Sequence, residues 1–301
     1  MSNKSQTISN EVTIHSPAKV NLMLSVHGRR PDGFHELTSL MVALKFGDVL
    51  TVRTRDSKED VLRCSDPALP SGQENLVLKA AIVFRSRLKR AGYFEFDLEK
   101  RIPMGAGLGG GSSNAVAALA GMNQLLGEPL DKKALCELAA ELGSDCPFFV
   151  EAKPAWIYGR GERIQPLAAD LCKQLQAMPL VLFKPNFAVN TTWAFKCLAA
   201  NAAENYQPGP VDVAAMEHLI GTGDMAALLH NAFEKPVGKK YLALPTLLDE
   251  LRAAGIVCAM SGSGSCCFAM PNSGNVRLKQ IRERVMDAWG EDFFWVETFI
   301  S

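Results

Sequence analysis

The segment Pro103-Met-Gly-Ala-Gly-Leu-Gly-Gly-Gly-Ser-Ser-Asn-Ala115 constrains this chain more than any other, because it runs straight into the apolar-striped stretch 116–126. A run so poor in side chains lets the main chain approach a partner closely, and the helix expected behind it names the partner. Ser112 or Ser113 is placed to cap that helix, whose first N–H groups and positive dipole end then face the glycines. Such a helix start is an anion site, and phosphate is its usual occupant. A phosphate-handling enzyme is the expectation.

Two better-known phosphate loops do not fit. The Walker pattern ends in Gly-Lys-Ser/Thr, and no lysine follows these glycines. Gly105, Gly107 and Gly110 do spell G-x-G-x-x-G, but that motif needs a strand feeding directly into the glycines and another strand after the helix. Here Lys100-Arg-Ile-Pro103 separates the loop from the strand-like residues 94–98, and a second helix, over 131–142, follows the first. A flexible linker fits poorly too, since linkers do not usually lead into capped amphipathic helices.

Composition narrows the classes further. At 301 residues the chain has room for two domains, each with its own core. Apolar residues at 48% and charged residues at 21% are those of a soluble globular protein, and 32 basic against 32 acidic residues give no field suited to nucleic acid. The eight cysteines make no C-x-x-C pair and no cluster with histidine, so reduced thiols are expected rather than disulfides or a metal site. Residues 1–10 are polar without an apolar h-region, and no run reaches membrane-spanning length; a cytoplasmic protein with no membrane partner is expected.

Residues 11–26 read as a strand. Lys19 stands inside it between Ala18 and Val20, either at an edge with its ammonium reaching water or as a placed charge. A turn-rich stretch, Gly28-Arg-Arg-Pro-Asp-Gly-Phe34-His35, leads to strands over 40–44 and 49–53, and a helix is expected over 73–90. Asp131 and Gly143 bracket the second helix beyond the glycine loop. Beyond it, Pro147 favours an extended Cys146, and Asp145 is either a local backbone cap or a placed base. The stretch 155–165 reads as a hairpin around Gly159-Arg-Gly161. A domain boundary near residue 165 divides 1–165 from 166–301. The second part shows a strand at 180–183, helices at 191–203, 211–220, 224–232 and 244–254, strands at 256–260 and 266–270, a helix over 274–289 and a last strand at 293–299. That is an α+β pattern of the ferredoxin-like kind. Ser261-Gly-Ser-Gly-Ser265 joins two of these strands, as a plain hairpin turn or as a second glycine loop.

The glycine segment resembles the phosphate loop of the GHMP kinases, which phosphorylate small-molecule alcohols with ATP. Pro17-Ala-Lys19-Val-Asn21-Leu with Gly28-Arg-Arg-Pro-Asp-Gly-Phe34-His35, then Leu142-Gly-Ser-Asp145-Cys-Pro-Phe-Phe, and finally Ser261 to Ser265 are similar to further segments of that family in the same order. Cys146 departs from the usual aliphatic residue but keeps its size. The resemblance implies a two-domain α+β GHMP kinase fold: a ribosomal S5 domain 2-like N-terminal domain and a ferredoxin-like C-terminal domain, with the active site in the cleft between them. It implies ATP as donor, held by Asn75, Leu76, Lys100, Pro103, Met104, Gly105, Gly107, Leu108, Gly109, Gly110, Gly111, Ser112 and Ser113. A helix start at Asn75 and a solvated Lys100 would fit those two residues equally well. Mg²⁺ is expected with ATP, and no protein ligand is assigned to it.

The implied acceptor is the 2-hydroxyl of a sugar alcohol carried on cytidine diphosphate, in the synthesis of isoprenoid precursors. Asn21, Phe34, His35, Thr191, Phe195, Gly262 and Gly264 are its implied contacts. Phe34 and Phe195 would flank the base, with Trp193 a rival for the second ring, and His35 would bond its polar edge. Lys19 and Asp145 are the implied catalytic pair, expected to keep each other charged. Two alternatives stand beside this: a GHMP kinase for another small alcohol, such as homoserine or mevalonate, and a ligand-sensing relative that binds ATP without turnover.

Overall fold

The computed structural model describes residues 10–89, 92–271 and 275–301. Most of the polar N-terminal stretch, Arg90 at the end of the first expected helix, and residue 274 lie outside them. The chain forms two compact units that are not consecutive pieces of sequence. One holds the residues up to Pro17, Gly47–Arg101 and Gly110–Glu151; the other holds Ala18–Phe46, Ile102–Gly109 and Ala152–Ser301. Two long strands, β1 (Glu11–Arg29) and β2 (His35–Arg55), contribute to both.

The first unit adds β3 (Val61–Cys64), α1 (Leu76–Leu88), β4 (Tyr93–Glu99), α2 (Gly110–Leu125) and α3 (Lys132–Leu142), then a 3-10 turn at Cys146–Val150. Its strands run in the order β3-β4-β2-β1. Strand β4 shows why. Phe94, Phe96 and Leu98 alternate inward and are buried, while Glu95 and Asp97 alternate outward to ion-pair with Arg63 and Arg53 on the neighbouring strands. The helices begin where short polar side chains can satisfy free N–H groups: Asn75 caps α1 through the Val77 N–H, and Asp131 caps α3 through the Ala134 N–H. Helix α2 lies so near the sheet that a Cβ on Gly121 would meet Val52 Cγ2 at 2.6 Å.

The second unit contains β5 (Ala155–Gly159), β6 (Arg163–Pro166), α4 (Ala169–Leu175), β7 (Pro179–Pro185), α5 (Thr191–Ala200), α6 (Ala202–Asn205), α7 (Val213–Thr222), α8 (Met225–Leu228), β8 (His230–Asn231), α9 (Glu234–Gly238), α10 (Ala243–Ala253), β9 (Val257–Met260), β10 (Cys267–Met270), α11 (Asn275–Trp289) and β11 (Phe293–Phe299). Strand β2 pairs antiparallel with β5, β5 with β6, and β1 takes the short β8 in parallel. A separate four-stranded antiparallel sheet has the order β11-β7-β10-β9, with α10 and α11 packed on it. One core gathers Leu22, Leu40, Trp156 and Phe268; another gathers Phe183, Phe233, Leu247 and Val285. Each such side chain contributes about 1.5–3 kcal/mol on leaving water.

Four local expectations are corrected. The strands expected at 40–44 and 49–53 are one strand, because Asp48 turns inward to a buried network rather than making a turn. Helix α2 starts at Gly110, so Ser112 and Ser113 lie within its first turn and are not its cap. Cys146 is not extended but opens the 3-10 turn, with Pro147 at its N-terminal end. The helix expected over 224–232 stops at Leu228, since Leu229 is extended and His230–Asn231 pairs with β1. All eight cysteines are free thiols. Among the described residues no helix is long and apolar enough to cross a membrane.

Candidate active site

In the second unit, Lys19 is a buried cation with a fixed address. Its backbone N–H donates to the Leu108 carbonyl at 3.0 Å, which ties β1 to the glycine segment. The residue is 4% exposed, and its ammonium donates to Asn21 Oδ1 at 2.7 Å. Residues i and i+2 share one face of a strand, so the sequence spacing itself brings this pair together. The Asn21 amide then donates to Ser39 Oγ at 2.8 Å, and Ser39 donates to the Met23 carbonyl at 2.7 Å. The relay leaves Asn21 a single orientation, oxygen toward the lysine.

Two glycine segments meet beside this lysine. Ser261 Oγ donates to the Gly107 carbonyl at 3.0 Å, and the Cys266 N–H to the Ala106 carbonyl at 3.2 Å. Gly107 has φ +77° and no room for a Cβ, which would collide with the Ser261 carbonyl. A Cβ on Gly262 would sit 3.4 Å from the Lys19 ammonium. Asn231 holds the second loop from behind: its amide donates to the carbonyls of Met260 at 2.6 Å and Gly262 at 2.8 Å. Thr191 Oγ1 lies 2.9 Å from Ser263 Oγ on the same loop. Main chain bared this way, with an ammonium alongside, suits a polyphosphate.

In the first unit, the start of α2 is braced by a buried polar network. Ser16 Oγ donates to Ser113 Oγ at 2.8 Å, and the Asn114 amide donates to Ser16 Oγ at 2.8 Å and to Asp48 Oδ2 at 2.8 Å. Lys100 forms a buried ion pair with Asp48, whose other oxygen accepts from the Arg101 N–H at 2.7 Å. Lys100 is therefore not a solvated lysine: its ammonium belongs to the brace. Asn75 serves as the cap of α1, and its amide donates to the Pro70 carbonyl at 2.7 Å. Asp145 precedes the 3-10 turn with no side-chain bond to the turn's own N–H groups, so the local-cap alternative does not hold. Beside it, burial pushes the Cys146 thiol up to about 11, against a smaller opposing effect of a hydrogen bond to Ser112.

The second unit also carries an aromatic cluster. His35 stacks on Phe195 with centroids 4.7 Å apart, and Phe195 stands edge-on to Phe233 at 4.9 Å. Phe34 is 47% exposed with the Arg160 guanidinium over its ring at 4.9 Å. Trp193 turns elsewhere, edge-on to Tyr241 at 5.5 Å and capped by the Lys240 ammonium at 4.6 Å. The ring beside His35 is Phe195. Burial, then the charge of Arg29, lowers the His35 pKa.

The sequence reading missed Ser39, Asp48, Asn114, Tyr206 and Asn231. A lone serine, asparagine or tyrosine carries no periodic signal, and a single acid between two apolar runs says nothing of a partner far along the chain.

Comparison with known proteins identifies the family. The family model for the GHMP kinases N terminal domain matches residues 75–153, and that for the GHMP kinases C terminal matches residues 214–291. The chain is 37% identical over 274 residues to 4-diphosphocytidyl-2-C-methyl-D-erythritol kinase of Synechococcus sp. (strain CC9902), covering 86% of this chain and 87% of the relative. A crystal structure of 4-(cytidine 5'-diphospho)-2C-methyl-D-erythritol kinase superposes with TM-score 0.77 at 33% identity, covering 96% of this chain and 100% of the other. Homoserine kinase from Cytophaga hutchinsonii superposes nearly as well, TM-score 0.74 over 98% of this chain and 96% of that one, at 19% identity. The fold alone therefore does not select the alcohol. With the glycine segment inside the N-terminal match and both halves of the chain accounted for, this α+β protein belongs to the GHMP kinase family.

Proposed function

We propose that this chain transfers the γ-phosphoryl group of ATP to the 2-hydroxyl of 4-diphosphocytidyl-2-C-methyl-D-erythritol, yielding the 2-phosphate and ADP for isoprenoid precursor synthesis. The observation that carries the reading is Lys19: an ammonium buried against Gly262, held by Asn21 and tied through its own N–H to the glycine segment at Leu108. Phosphoryl transfer passes through a loose transition state, so positioning and charge stabilisation do most of the work. Lys19 steadies the accepting oxygen and the incoming phosphoryl group. Asp145 takes the hydroxyl proton or holds the hydroxyl in line. Backbone N–H groups between Gly105 and Ser113 hold the polyphosphate, with Pro103, Met104 and Leu108 shaping the segment. Asn75 and Leu76 line the adenine side, and Lys100 supports it through the Asp48 brace.

Phe34, Phe195 and His35 select the cytidine, with Asn21, Thr191, Gly262 and Gly264 along the rest of the substrate. Magnesium accompanies ATP; no protein ligand is assigned to it, and among the described residues no group of three or more His, Cys, Asp or Glu side chains could hold a metal ion. The family models fall on either side of residue 165, in keeping with residues 1–165 as the nucleotide-binding part and 166–301 as the part that contributes to substrate binding. A cytoplasmic location is part of this proposal. An ADP-release assay on the purified chain, with the cytidyl alcohol, homoserine and mevalonate in parallel, tests the proposal. Turnover with the cytidyl alcohol above the others is expected. Preference for another alcohol, or ATP binding with no ADP released, overturns it.

A further inference from the structure

We propose that Tyr206 fixes the tautomer of His35 and is thereby a positioning residue for choosing cytosine over uracil; the proposal rests on the cytidyl substrate inferred above. Tyr206 Oη lies 3.2 Å from His35 Nε2. The two rings meet edge-on, centroids 6.0 Å apart and 61° between planes, so the hydroxyl addresses the edge of the imidazole rather than its face. Phe195 already covers a face. What remains to fix is which nitrogen carries the proton.

Burial and the nearby Arg29 lower the His35 pKa, so the ring is neutral near neutral pH, with one nitrogen a donor and the other an acceptor. Burial raises the Tyr206 pKa, so the phenol keeps its proton. A phenol O–H is a stronger donor than a neutral imidazole N–H, and an imidazole nitrogen is a stronger acceptor than a phenol oxygen. Tyr206 therefore donates to Nε2, and the proton of His35 sits on Nδ1. This reverses the preference of free histidine side chains for the Nε2–H form. Among the described residues Nδ1 has no hydrogen-bond partner, so its N–H is left for a ligand.

The hydroxyl is held at its post by main chain. The Tyr206 N–H donates to the Ala202 carbonyl at 2.9 Å, and the Gln207 N–H donates to the Val26 carbonyl at 2.8 Å, pinning the segment after α6 to β1. An Nδ1–H donor distinguishes the two pyrimidines at one atom. Cytosine N3 is an acceptor and pairs with it; uracil N3 carries a hydrogen and opposes it. A site built around one such bond rejects the analogue that cannot complete it more strongly than any change of shape would.

The test uses the full chain with its five histidines labelled with ¹⁵N. The His35 signals are assigned from the spectrum of His35→Gln, and Tyr206→Phe removes only the hydroxyl. Wild-type protein is expected to show protonated Nδ1 and unprotonated Nε2 at His35, and Tyr206→Phe to move the proton toward Nε2. In parallel, the preference in kcat/KM for the cytidyl over the matching uridyl alcohol is expected to fall roughly tenfold or more in Tyr206→Phe, through KM rather than kcat. A thermal melt matching wild type shows that the variant folds. An Nε2–H tautomer in the wild type, or an unchanged tautomer and preference in Tyr206→Phe, overturns the proposal. No turnover of the cytidyl alcohol by the wild type overturns the substrate reading instead, while the tautomer is still read from the spectrum.

Discussion

The Ser261 hydroxyl donates to the Gly107 carbonyl at 3.0 Å, so the first glycine segment is tied to the second by a serine side chain on bare main chain. Both surfaces need glycine at the point of contact. Gly107→Ala forces a Cβ into the Ser261 carbonyl and places alanine at φ +77°. A loss of about 1–3 kcal/mol from the backbone alone is expected. The displaced loops should lower kcat/KM about 100-fold. Urea titration and steady-state kinetics check the two effects; wild-type values for both would remove the contact from any role.

Asn21 is the acceptor that orients the Lys19 ammonium. Removing it in Asn21→Ala should lower kcat about 10- to 100-fold and, because the relay is buried, also destabilise the fold by about 1–3 kcal/mol. Lys19→Ala and Asp145→Ala should fold and lose most turnover, about 10²- to 10⁴-fold for the proton-handling residue. Either retaining near wild-type kcat would dismiss that residue from its proposed part.

Asp48 and Lys100 form a buried ion pair that also serves Asn114 and Arg101. Asp48→Asn leaves Lys100 without its counter-charge and should destabilise by about 3–5 kcal/mol. The double variant Asp48→Asn with Lys100→Met should recover part of this, since no bare charge remains buried. Denaturant unfolding of these two variants and of Lys100→Met alone measures the coupling, and strict additivity would contradict it.

Phe195 stacks on His35 whereas Trp193 packs on Tyr241. Phe195→Ala should raise KM for the cytidyl substrate about tenfold or more and leave KM for ATP within about twofold. Trp193→Ala should act mainly on stability. The reverse pattern, measured by initial rates, would pass the base-stacking role to Trp193.

Burial pushes the thiols of Cys146 to about 11 and of Cys258 and Cys266 to about 12, from an ordinary 9.0. At pH 8 the Cys146 thiolate is then roughly one part in a thousand, and alkylation of the folded protein should fall on half-buried Cys64 and Cys197 first. Peptide mass mapping before and after denaturation checks the order. The same shifts set an alkaline limit: from about pH 9 to about pH 12 the unfolded chain loses protons that the native thiols keep, so stability should decline across that window. A flat unfolding free energy from pH 9 to 11 would count against it.

Much of the frame was written locally. The glycine run, the caps Asn75 and Asp131, and the inward alternation of Phe94, Phe96 and Leu98 act over a few residues, where sequence spacing and backbone geometry are the same statement. Lys19 and Asn21 also meet through local geometry, because i and i+2 share a strand face. The break expected between strands at 40–44 and 49–53 failed for the opposite reason: the Asp48 carboxylate is claimed by Lys100, 52 residues later.

By itself, then, the sequence determined a glycine-rich main-chain segment, the helix behind it and the family to which the chain belongs. Tertiary structure alone decided what surrounds them: Ser39 behind Asn21, Asn231 behind the second glycine loop, and Tyr206 against His35 across 171 residues of chain. A hydrogen bond between side chains that far apart leaves no periodic trace, because neither residue's neighbours depend on it. Only the folded strands bring donor and acceptor within reach.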